Sequence, residues 1–254
     1  MFITTLANSF IYCVSRSFIY TGPLIWISIV FGSIVDIFYG ALTKPFVNSQ
    51  KQVDKMIHES ISSKSSQKQV AIVTGGNSGI GYATAKAIGR AGYHTILACR
   101  NQSLGEKAVA NLVRETGQTN FELMILDLAS FESVHKFVKQ FKSKYQQLNL
   151  LVNNAGVVKA NHMLTADGVE MQFGTNYLGP FLLTTELLDI MKQTGSARIV
   201  NVSSLGSYFN SHMDTKLVED TRHYNALRVY YNSKLAITMF SAALARKLQG
   251  TGIT

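Results

Sequence analysis

The stretch QVAIVTGGNSGIGYATAKAIGRAG (residues 69–92) decides the fold of this 254-residue chain. Its first six residues (69–74) form a short apolar run with β-branched side chains, which predicts a buried strand. Glycines end that run at once, and the pattern from Gly81 to Gly92 is typical of a helix. A glycine-rich turn between a strand and a helix is the context that a phosphate-binding loop needs. Helix N-terminal amides face the phosphates there, and only glycine permits their close approach.

The same alternation of strands and helices continues along the chain. Further strands are predicted at residues 93–99, 121–127 and 148–153, with helices at 104–116 and 130–144 between them. Ser130 is placed to cap the second of these helices. Alternating elements with continuously apolar strands predict an α/β fold with a Rossmann-type, doubly wound parallel sheet. Ligands of such sheets bind at the carboxyl ends of the strands.

A second group of polar residues follows this half of the chain. Residues 198–204 (RIVNVSS) predict a fifth strand that ends in hydroxyls, and Tyr230 and Lys234 open a helix that continues to Leu248. A Tyr and a Lys four positions apart lie on one helical face, and only Tyr230, not Tyr231, has a lysine at this spacing. A nearby ammonium favours the phenolate and lowers a tyrosine pKa, which is ordinarily about 10. The pair is therefore suited to exchanging a proton with an alcohol.

Two motifs carry a family resemblance. TGGNSGIG (74–81) resembles the cofactor loop of the short-chain dehydrogenase/reductase family, and NNAG (153–156) resembles the motif after that family's fourth strand. The similarity runs from about Val70 to the end of the chain. It implies a hydride transfer between a nicotinamide cofactor and an alcohol or carbonyl. The resemblance implies cofactor contacts at Thr74, Gly75, Asn77, Ser78, Gly79, Ile80, Gly81, Asn154, Ala155, Gly156, Tyr230 and Lys234.

The end of the second predicted strand selects between the two nicotinamide cofactors. An NAD enzyme carries an acidic residue there, which holds the ribose 2′-hydroxyl and would repel a 2′-phosphate. Here Arg100 follows Cys99 directly, which favours NADP, with a solvated charge at a strand end as the alternative. Asp127, in the segment DLAS with Leu128, resembles the family residue beside the adenine, and helix capping is its alternative role.

The resemblance also assigns catalytic roles. Tyr230 is the expected general acid/base, and Lys234 is expected to hold the nicotinamide ribose and to depress the tyrosine pKa. Ser204 would hydrogen-bond the substrate oxygen, with Ser203 as the neighbour that could be confused with it. Asn176 would carry a proton-relay water, or it would pack as a polar residue between helices.

The length of the connection between Ser204 and Tyr230 points to one branch of the family. The connection contains 25 residues, far more than in compact family members. This insertion, together with LACR, DLAS and NYLGPFLLT, resembles the retinol dehydrogenase branch, which is similar in carrying an N-terminal membrane anchor. The branch implies a retinoid, a steroid or another lipophilic alcohol or carbonyl as substrate.

Residues 17–35 form a run of nineteen uncharged, mostly apolar residues between Arg16 and Asp36. A membrane-spanning helix needs about 20 apolar residues, so the run predicts an uncleaved N-terminal transmembrane helix. A cleaved signal peptide and a soluble core helix are the alternatives. Lysines after the run favour a catalytic domain that faces the cytosol, and we expect the endoplasmic reticulum membrane. The chain thus divides into an anchor with a polar tether (1–66) and a dehydrogenase domain (67–254).

Charge and composition restrict the partners. The net charge is +9, and most of the basic excess lies after residue 67. A basic surface suits an anionic lipid, a phosphorylated cofactor or a nucleic acid. Since no Lys/Arg run is interleaved with aromatic residues, we expect no nucleic-acid partner. The scattered histidines and the two separate cysteines predict no metal site.

The last residues of the chain bear on its activity. The sequence ends at Thr254, where family members begin a sixth strand, so we expect a sheet that is incomplete at the C-terminus, in a fragment or in a shortened product. Two functions stay open: an active oxidoreductase, or a catalytically inactive, membrane-tethered nucleotide-binding or interaction protein. A homodimer through the helices at 172–191 and 230–248 is a further expectation, although core packing would also explain their apolar faces.

Overall fold

The structure is a computed structural model that describes residues 69–210, 212–219 and 224–254. The predicted membrane helix, the tether and the boundary at residues 66 and 67 lie outside these ranges. Within them, no helix combines the length and the apolar character that a bilayer span requires.

Five parallel strands form one sheet in the order β3-β2-β1-β4-β5. The strands are β1 (Val70–Thr74), β2 (His94–Cys99), β3 (Phe121–Ile125), β4 (Leu150–Asn153) and β5 (Arg198–Asn201). Thr74 pairs with Ala98 and Asn153 pairs with Asn201, so the strands end at a common carboxyl edge. The predicted doubly wound parallel sheet is confirmed.

Helices connect the strands and follow the last of them. The first three are α1 (Gly79–Arg90), α2 (Gln102–Thr116) and α3 (Phe131–Lys144). A longer helical segment before β5 consists of α4 (Met171–Phe173), a π-helical turn (Gly174–Leu178) and α5 (Gly179–Thr194). After β5 come a 3-10 turn (Leu205–Phe209), α6 (Lys216–Glu219) and α7 (Ala226–Lys247).

Apolar layers hold the helices on both faces of the sheet. On one face, Phe137 of α3 and Leu187 of α5 are fully buried in the cluster that contains Ile72. On the other face, Leu112 of α2 is fully buried in the cluster that contains Val73. Ile72 and Val73 are consecutive in β1, where successive side chains point to opposite faces. Each such burial contributes roughly 1.5–3 kcal/mol, which fixes the strand register and thereby the carboxyl edge.

Several elements differ from the prediction at their ends, and local hydrogen bonds explain why. β5 ends before the two serines because the Ser204 hydroxyl accepts a bond from the Gly206 N–H at 3.1 Å and starts the 3-10 turn. α7 begins four residues before Tyr230 because the Asn225 side chain caps it, accepting a bond from the Arg228 N–H at 3.0 Å.

The last residues of the chain lie beside β5. Ile253 forms an isolated parallel bridge with Ala197, and the Thr254 carbonyl accepts a bond from the Ile199 N–H at 2.8 Å. The described ranges contain five strands.

Candidate active site

The glycine loop between β1 and α1 is narrow because side chains are excluded from it. Gly75 and Gly79 have φ angles of +66° and +54°, which favour glycine. Gly81 is buried, and a Cβ atom there would overlap the Gly75 carbonyl and the Asn154 side chain. Asn77 is half-buried and Ser78 is exposed. The backbone of this loop therefore lies open at the carboxyl edge.

The N-terminus of α1 differs from those of α2, α3 and α7. Ser78 precedes α1, but its side chain makes no capping hydrogen bond. By contrast, the side chains of Asn101, Ser130 and Asn225 cap α2, α3 and α7. The first N–H groups of α1 are thus left for another acceptor, and a phosphate is a group that such a helix end binds.

The NNAG segment is bonded to the end of β1. The Thr74 hydroxyl accepts bonds from the Asn154 and Ala155 N–H groups, both at 3.0 Å. The Asn154 side chain in turn donates to the Thr74 carbonyl at 2.9 Å. Thr74 and Asn154 therefore hold the ends of β1 and β4 together. Gly156, the next glycine along the chain, is exposed beside them.

Three further cofactor candidates lie at the ends of β2 and β3. Arg100 is exposed directly after β2 and forms no ion pair with the residues that the structure describes. The Asp127 carboxylate accepts a bond from the Ala129 N–H at 2.9 Å and shapes the turn before α3, whereas the side chain that caps this helix is Ser130. The place of Asp127 beside the adenine stays a prediction. Leu128 is buried, and its carbonyl contacts Gly179 of α5.

The predicted catalytic residues meet at the carboxyl edge. Tyr230 and Lys234 of α7 are only 6% and 5% exposed. The Ser204 hydroxyl forms a hydrogen bond with the Tyr230 phenol. The Lys234 ammonium lies 5.8 Å from the centre of the Tyr230 ring and donates to the Val202 carbonyl at 2.9 Å. One hydroxyl, one phenol and one ammonium are thus brought together.

The two neighbours that the sequence could confuse with catalytic residues point elsewhere. The Ser203 hydroxyl donates to the Lys234 carbonyl at 3.0 Å and hydrogen-bonds the Thr238 hydroxyl at 2.8 Å. The Tyr231 ring packs on Phe209, with ring centres 5.2 Å apart. Both side chains therefore hold α7 against the segment after β5.

Burial shifts the pKa of both titratable groups of the site. It raises the pKa of Tyr230 above its ordinary value, and the bond from Ser204 offsets only part of that rise. It lowers the pKa of Lys234 to about 8. The depressed Tyr230 pKa that the sequence predicts is therefore absent in the chain alone, because desolvation of the phenol outweighs the favourable contacts.

Asn176 lies in the middle of the π-helical turn and is 2% exposed. Its side-chain carbonyl accepts a bond from the Val157 N–H at 2.7 Å. Its amide donates to the Val157 carbonyl at 3.0 Å and to the Ser233 hydroxyl at 3.1 Å. These contacts link the segment after NNAG to α7 and match the alternative of a polar residue packed between elements. The water-carrying role stays a prediction.

The structure adds two amide side chains that the sequence did not single out. Asn232 is fully buried and bonds both backbone groups of Asp214, at 2.9 and 2.8 Å, so it holds the insertion against α7. Gln172 is also fully buried and donates to the Tyr224 hydroxyl at 2.6 Å and to the Ala226 carbonyl at 3.0 Å. The sequence feature that could have identified both residues is an amide side chain on an otherwise apolar helical face, because a buried amide needs a hydrogen-bond partner.

The arrangement has the parts of a nicotinamide site. The described ranges contain no group of three or more His, Cys, Asp or Glu side chains that could hold a metal ion. Open amides at α1, an exposed guanidinium after β2 and the Tyr230–Ser204–Lys234 group share one edge of the sheet. That combination can bind a phosphorylated dinucleotide and exchange a proton with a substrate oxygen.

Comparisons with known proteins agree with this geometry. The family model for short chain dehydrogenase matches residues 69–254. Retinol dehydrogenase 13 of Homo sapiens is 43% identical over 187 residues, which cover 73% of this chain and 56% of the relative. Polyprenol dehydrogenase of Homo sapiens is 42% identical over 188 residues, which cover 72% of this chain and 57% of the relative. The chain thus spans little more than half the length of these relatives.

A solved structure extends the comparison to the fold. A variant of actinorhodin polyketide ketoreductase with NADPH superimposes with a TM-score of 0.60 at 27% identity, covering 74% of this chain and 67% of that one. With the family match over the whole described domain, these similarities show that the chain belongs to the short-chain dehydrogenase family, where it is similar to retinol dehydrogenases.

Proposed function

We propose that the chain is an NADP(H)-dependent oxidoreductase that transfers a hydride between the nicotinamide and a lipophilic alcohol or carbonyl of the retinoid, steroid or lipid type. The observation that carries the proposal is the meeting of Tyr230, Ser204 and Lys234 at the carboxyl edge. An enzyme that moves a hydride to or from a C–O bond must also move a proton to or from the oxygen, and Tyr230 is placed to do so.

The residues of the chain divide this task. Ser204 hydrogen-bonds the substrate oxygen and the Tyr230 phenol, so it aligns the two. Tyr230 donates its proton to a carbonyl oxygen in reduction and, as the phenolate, accepts the hydroxyl proton in oxidation. The Lys234 ammonium stabilises negative charge on the phenolate and binds the ribose. The bound nicotinamide supplies or accepts the hydride.

The choice of NADP rests on the end of β2. Arg100 is exposed there without an ion-pair partner among the described residues, so its guanidinium can bind a 2′-phosphate. The uncapped N-terminus of α1 and the narrow glycine loop suit the diphosphate. A solved relative of 27% identity was crystallised with NADPH, which supports the same choice.

The substrate class rests on the rim of the site. The 3-10 turn directly after Ser204 exposes Leu205, Tyr208 and Phe209 by 72%, 85% and 66%. Large apolar side chains beside the reacting groups favour an apolar substrate. The names of the two curated relatives contain retinol and polyprenol, which are apolar alcohols.

Location and assembly are part of the proposal. Residues 17–35 would anchor the chain in the endoplasmic reticulum membrane with the domain in the cytosol. A homodimer would bury an apolar groove on α5 and α7, whose lining includes Phe181, Met239 and Phe240. Extraction from membranes only by detergent would support the first idea, and a dimer mass in detergent would support the second.

The activity test uses the full chain in detergent or liposomes, with NADPH oxidation measured against retinal and a panel of lipophilic ketones. We expect Tyr230→Phe to lower turnover by about 10²–10⁴-fold, because the proton transfer is lost. Tyr231→Phe is the matched control and should stay within about twofold, since its ring packs on Phe209. Nucleotide binding without Tyr230-dependent turnover on any carbonyl would refute the oxidoreductase and favour the tethered nucleotide-binding protein.

A further inference from the structure

The amino edge of the sheet, where the strands begin, collects the ends of the helices. Helices that follow parallel strands run back from the carboxyl edge, so the last turns of α1, α2, α3, α5 and α7 all lie there. Each of these last turns contains basic residues, and Arg198 opens β5 at the same edge. We call this set the amino-edge basic face: Arg90, Arg114, Lys142, Lys144, Lys192, Arg198, Arg246 and Lys247.

The acidic residues at this edge do not neutralise the face. Three carboxylates lie there, Glu115, Glu122 and Asp189, and each is paired with a lysine, at 2.9, 2.6 and 2.8 Å. Among the described residues, Lys192, Arg198, Arg246 and Lys247 are exposed and form no ion pair. Much of the positive excess of the domain is therefore concentrated on one face.

The helix dipole does not account for this one-sided charge. A dipole favours acidic residues in first turns as much as basic residues in last turns. The first turns of α1, α2, α5 and α7 contain no acidic residue, and only α3 has one, Glu132. Arg198 lies at the start of a strand, where no helix dipole acts on its own segment. The dipole therefore makes basic residues favourable in these last turns, but it does not by itself require them in all five helices or at Arg198.

We propose that the amino-edge basic face docks on an anionic lipid surface. Clusters of Lys and Arg beside a membrane anchor bind anionic headgroups. β1 begins with Val70 at this same edge, so the chain enters the domain there. The apolar run of residues 17–35 comes before that point in the sequence. A lipid surface fits better than a nucleic acid, since no Lys/Arg run is interleaved with aromatic residues.

Docking in this orientation has a consequence for the candidate active site. The carboxyl edge then faces away from the headgroups, so the glycine loop and Tyr230 stay open to water. Soluble nucleotide reaches the site without crossing the membrane surface, whereas a lipophilic substrate must leave the bilayer to reach the apolar rim at Leu205, Tyr208 and Phe209. The docking proposal rests on the proposed membrane anchor but not on the proposed activity, so it can be tested on inactive protein.

The test measures amide hydrogen exchange of the full chain in nanodiscs of phosphatidylcholine alone and of phosphatidylcholine with phosphatidylserine. The turns at the amino edge, residues 91–93, 117–120 and 195–197, should exchange at least about fivefold more slowly in the anionic discs at low salt, and this protection should vanish at high salt. The variant with Arg114, Lys192, Arg246 and Lys247 all changed to Gln should lose the protection.

A matched variant controls for net charge. It changes four exposed cations away from this face, Lys107, Lys136, Lys139 and Lys216, to Gln and should keep the protection. Equal loss in both variants would overturn the proposal, because net charge rather than the face would then govern binding. Protection by added RNA but not by anionic discs would also overturn it, as would equal protection in neutral discs. Unfolding temperatures close to wild type for both variants show that the fold is intact.

Discussion

The two edges of the sheet are built from the same strands, yet one group of polar side chains at the amino edge and the candidate ligand-binding groups at the carboxyl edge are bonded in opposite ways. At the amino edge the groups bond one another: Glu122 accepts bonds from Lys144 and Tyr145, both at 2.6 Å, and His94 lies 3.2 Å away. At the carboxyl edge groups are left open, as in the uncapped N-terminus of α1 and the exposed Arg100. The Glu122 cluster at the amino edge therefore serves the stability of the fold, whereas the N-terminus of α1 and Arg100 at the carboxyl edge are left for ligands.

The largest expected effect comes from Lys234→Met at the carboxyl edge. Turnover should fall by about 10²–10⁴-fold, while the free energy of unfolding at pH 7 should rise by about 1–2 kcal/mol because a buried charge is removed. The folded pKa of Lys234 is depressed to about 8, so the cost of the charged group is present below that pH and disappears as the pH rises towards the unfolded pKa.

Chemical denaturation at pH 7 and pH 10 measures this difference. The extra stability of Lys234→Met over wild type should be smaller at pH 10 than at pH 7. A variant that is less stable than wild type at pH 7 would show that the Lys234 bond to the Val202 carbonyl serves the fold, and the contrast between the edges would fail.

At the amino edge, Glu122→Gln should lower stability without changing nucleotide binding, and we expect this effect to be smaller than that of Lys234→Met. The free energy of unfolding should fall by about 1–2 kcal/mol at pH 7, with nucleotide affinity unchanged, because the carboxylate accepts charge-assisted bonds far from the site. Glu115→Gln, which alters an exposed pair on the same edge, is the control and should change stability less.

The effect of Glu122→Gln should depend on pH. Burial alone would raise the pKa of Glu122, but the bonds from Lys144, Tyr145 and His94 outweigh it and lower that pKa. The stabilisation is therefore present above the ordinary carboxyl pKa and is lost as the pH falls through the folded pKa. The difference in the free energy of unfolding between wild type and Glu122→Gln should become smaller when denaturation is repeated at acidic pH. A difference that stays constant would mean that ionisation of Glu122 plays no part.

The smallest expected effects compare two serines at corresponding helix starts. Ser130→Ala should cost about 1 kcal/mol because its hydroxyl accepts a bond from the Ser133 N–H at 3.3 Å, and Ser78→Ala should cost a few tenths at most. Thermal unfolding without nucleotide measures the loss of stability in both variants. Equal losses would show that Ser78 caps α1 after all, and the open amides would no longer mark a ligand site.

The fold could be predicted from sequence where it depends on local patterns. The apolar runs at residues 69–74 and 93–99 predicted β1 and β2 to within one residue, because a buried strand must be apolar on both faces. The Tyr230–Lys234 pair followed from helical spacing. The NADP choice, the catalytic roles and the membrane anchor remain predictions.

What could not be predicted depends on contacts between distant segments. Asn232 bonds Asp214, eighteen residues earlier, so its role becomes visible only when the insertion is placed. The π-helical turn around Asn176 has no marker in the residue pattern. The rise in the Tyr230 pKa also depends on burial, which the spacing of Tyr and Lys does not reveal.

The most direct test of the account is a titration of the full chain with NADPH and with NADH, in wild type and in Arg100→Ala. We predict tighter binding of NADPH, and a selective loss of about 10–100-fold in the variant, because the guanidinium bond to the 2′-phosphate is removed. Arg114→Ala, on the amino edge, should change neither affinity. Binding of neither nucleotide, or equal binding that Arg100→Ala leaves unchanged, would contradict the assignment of the carboxyl edge as an NADP site.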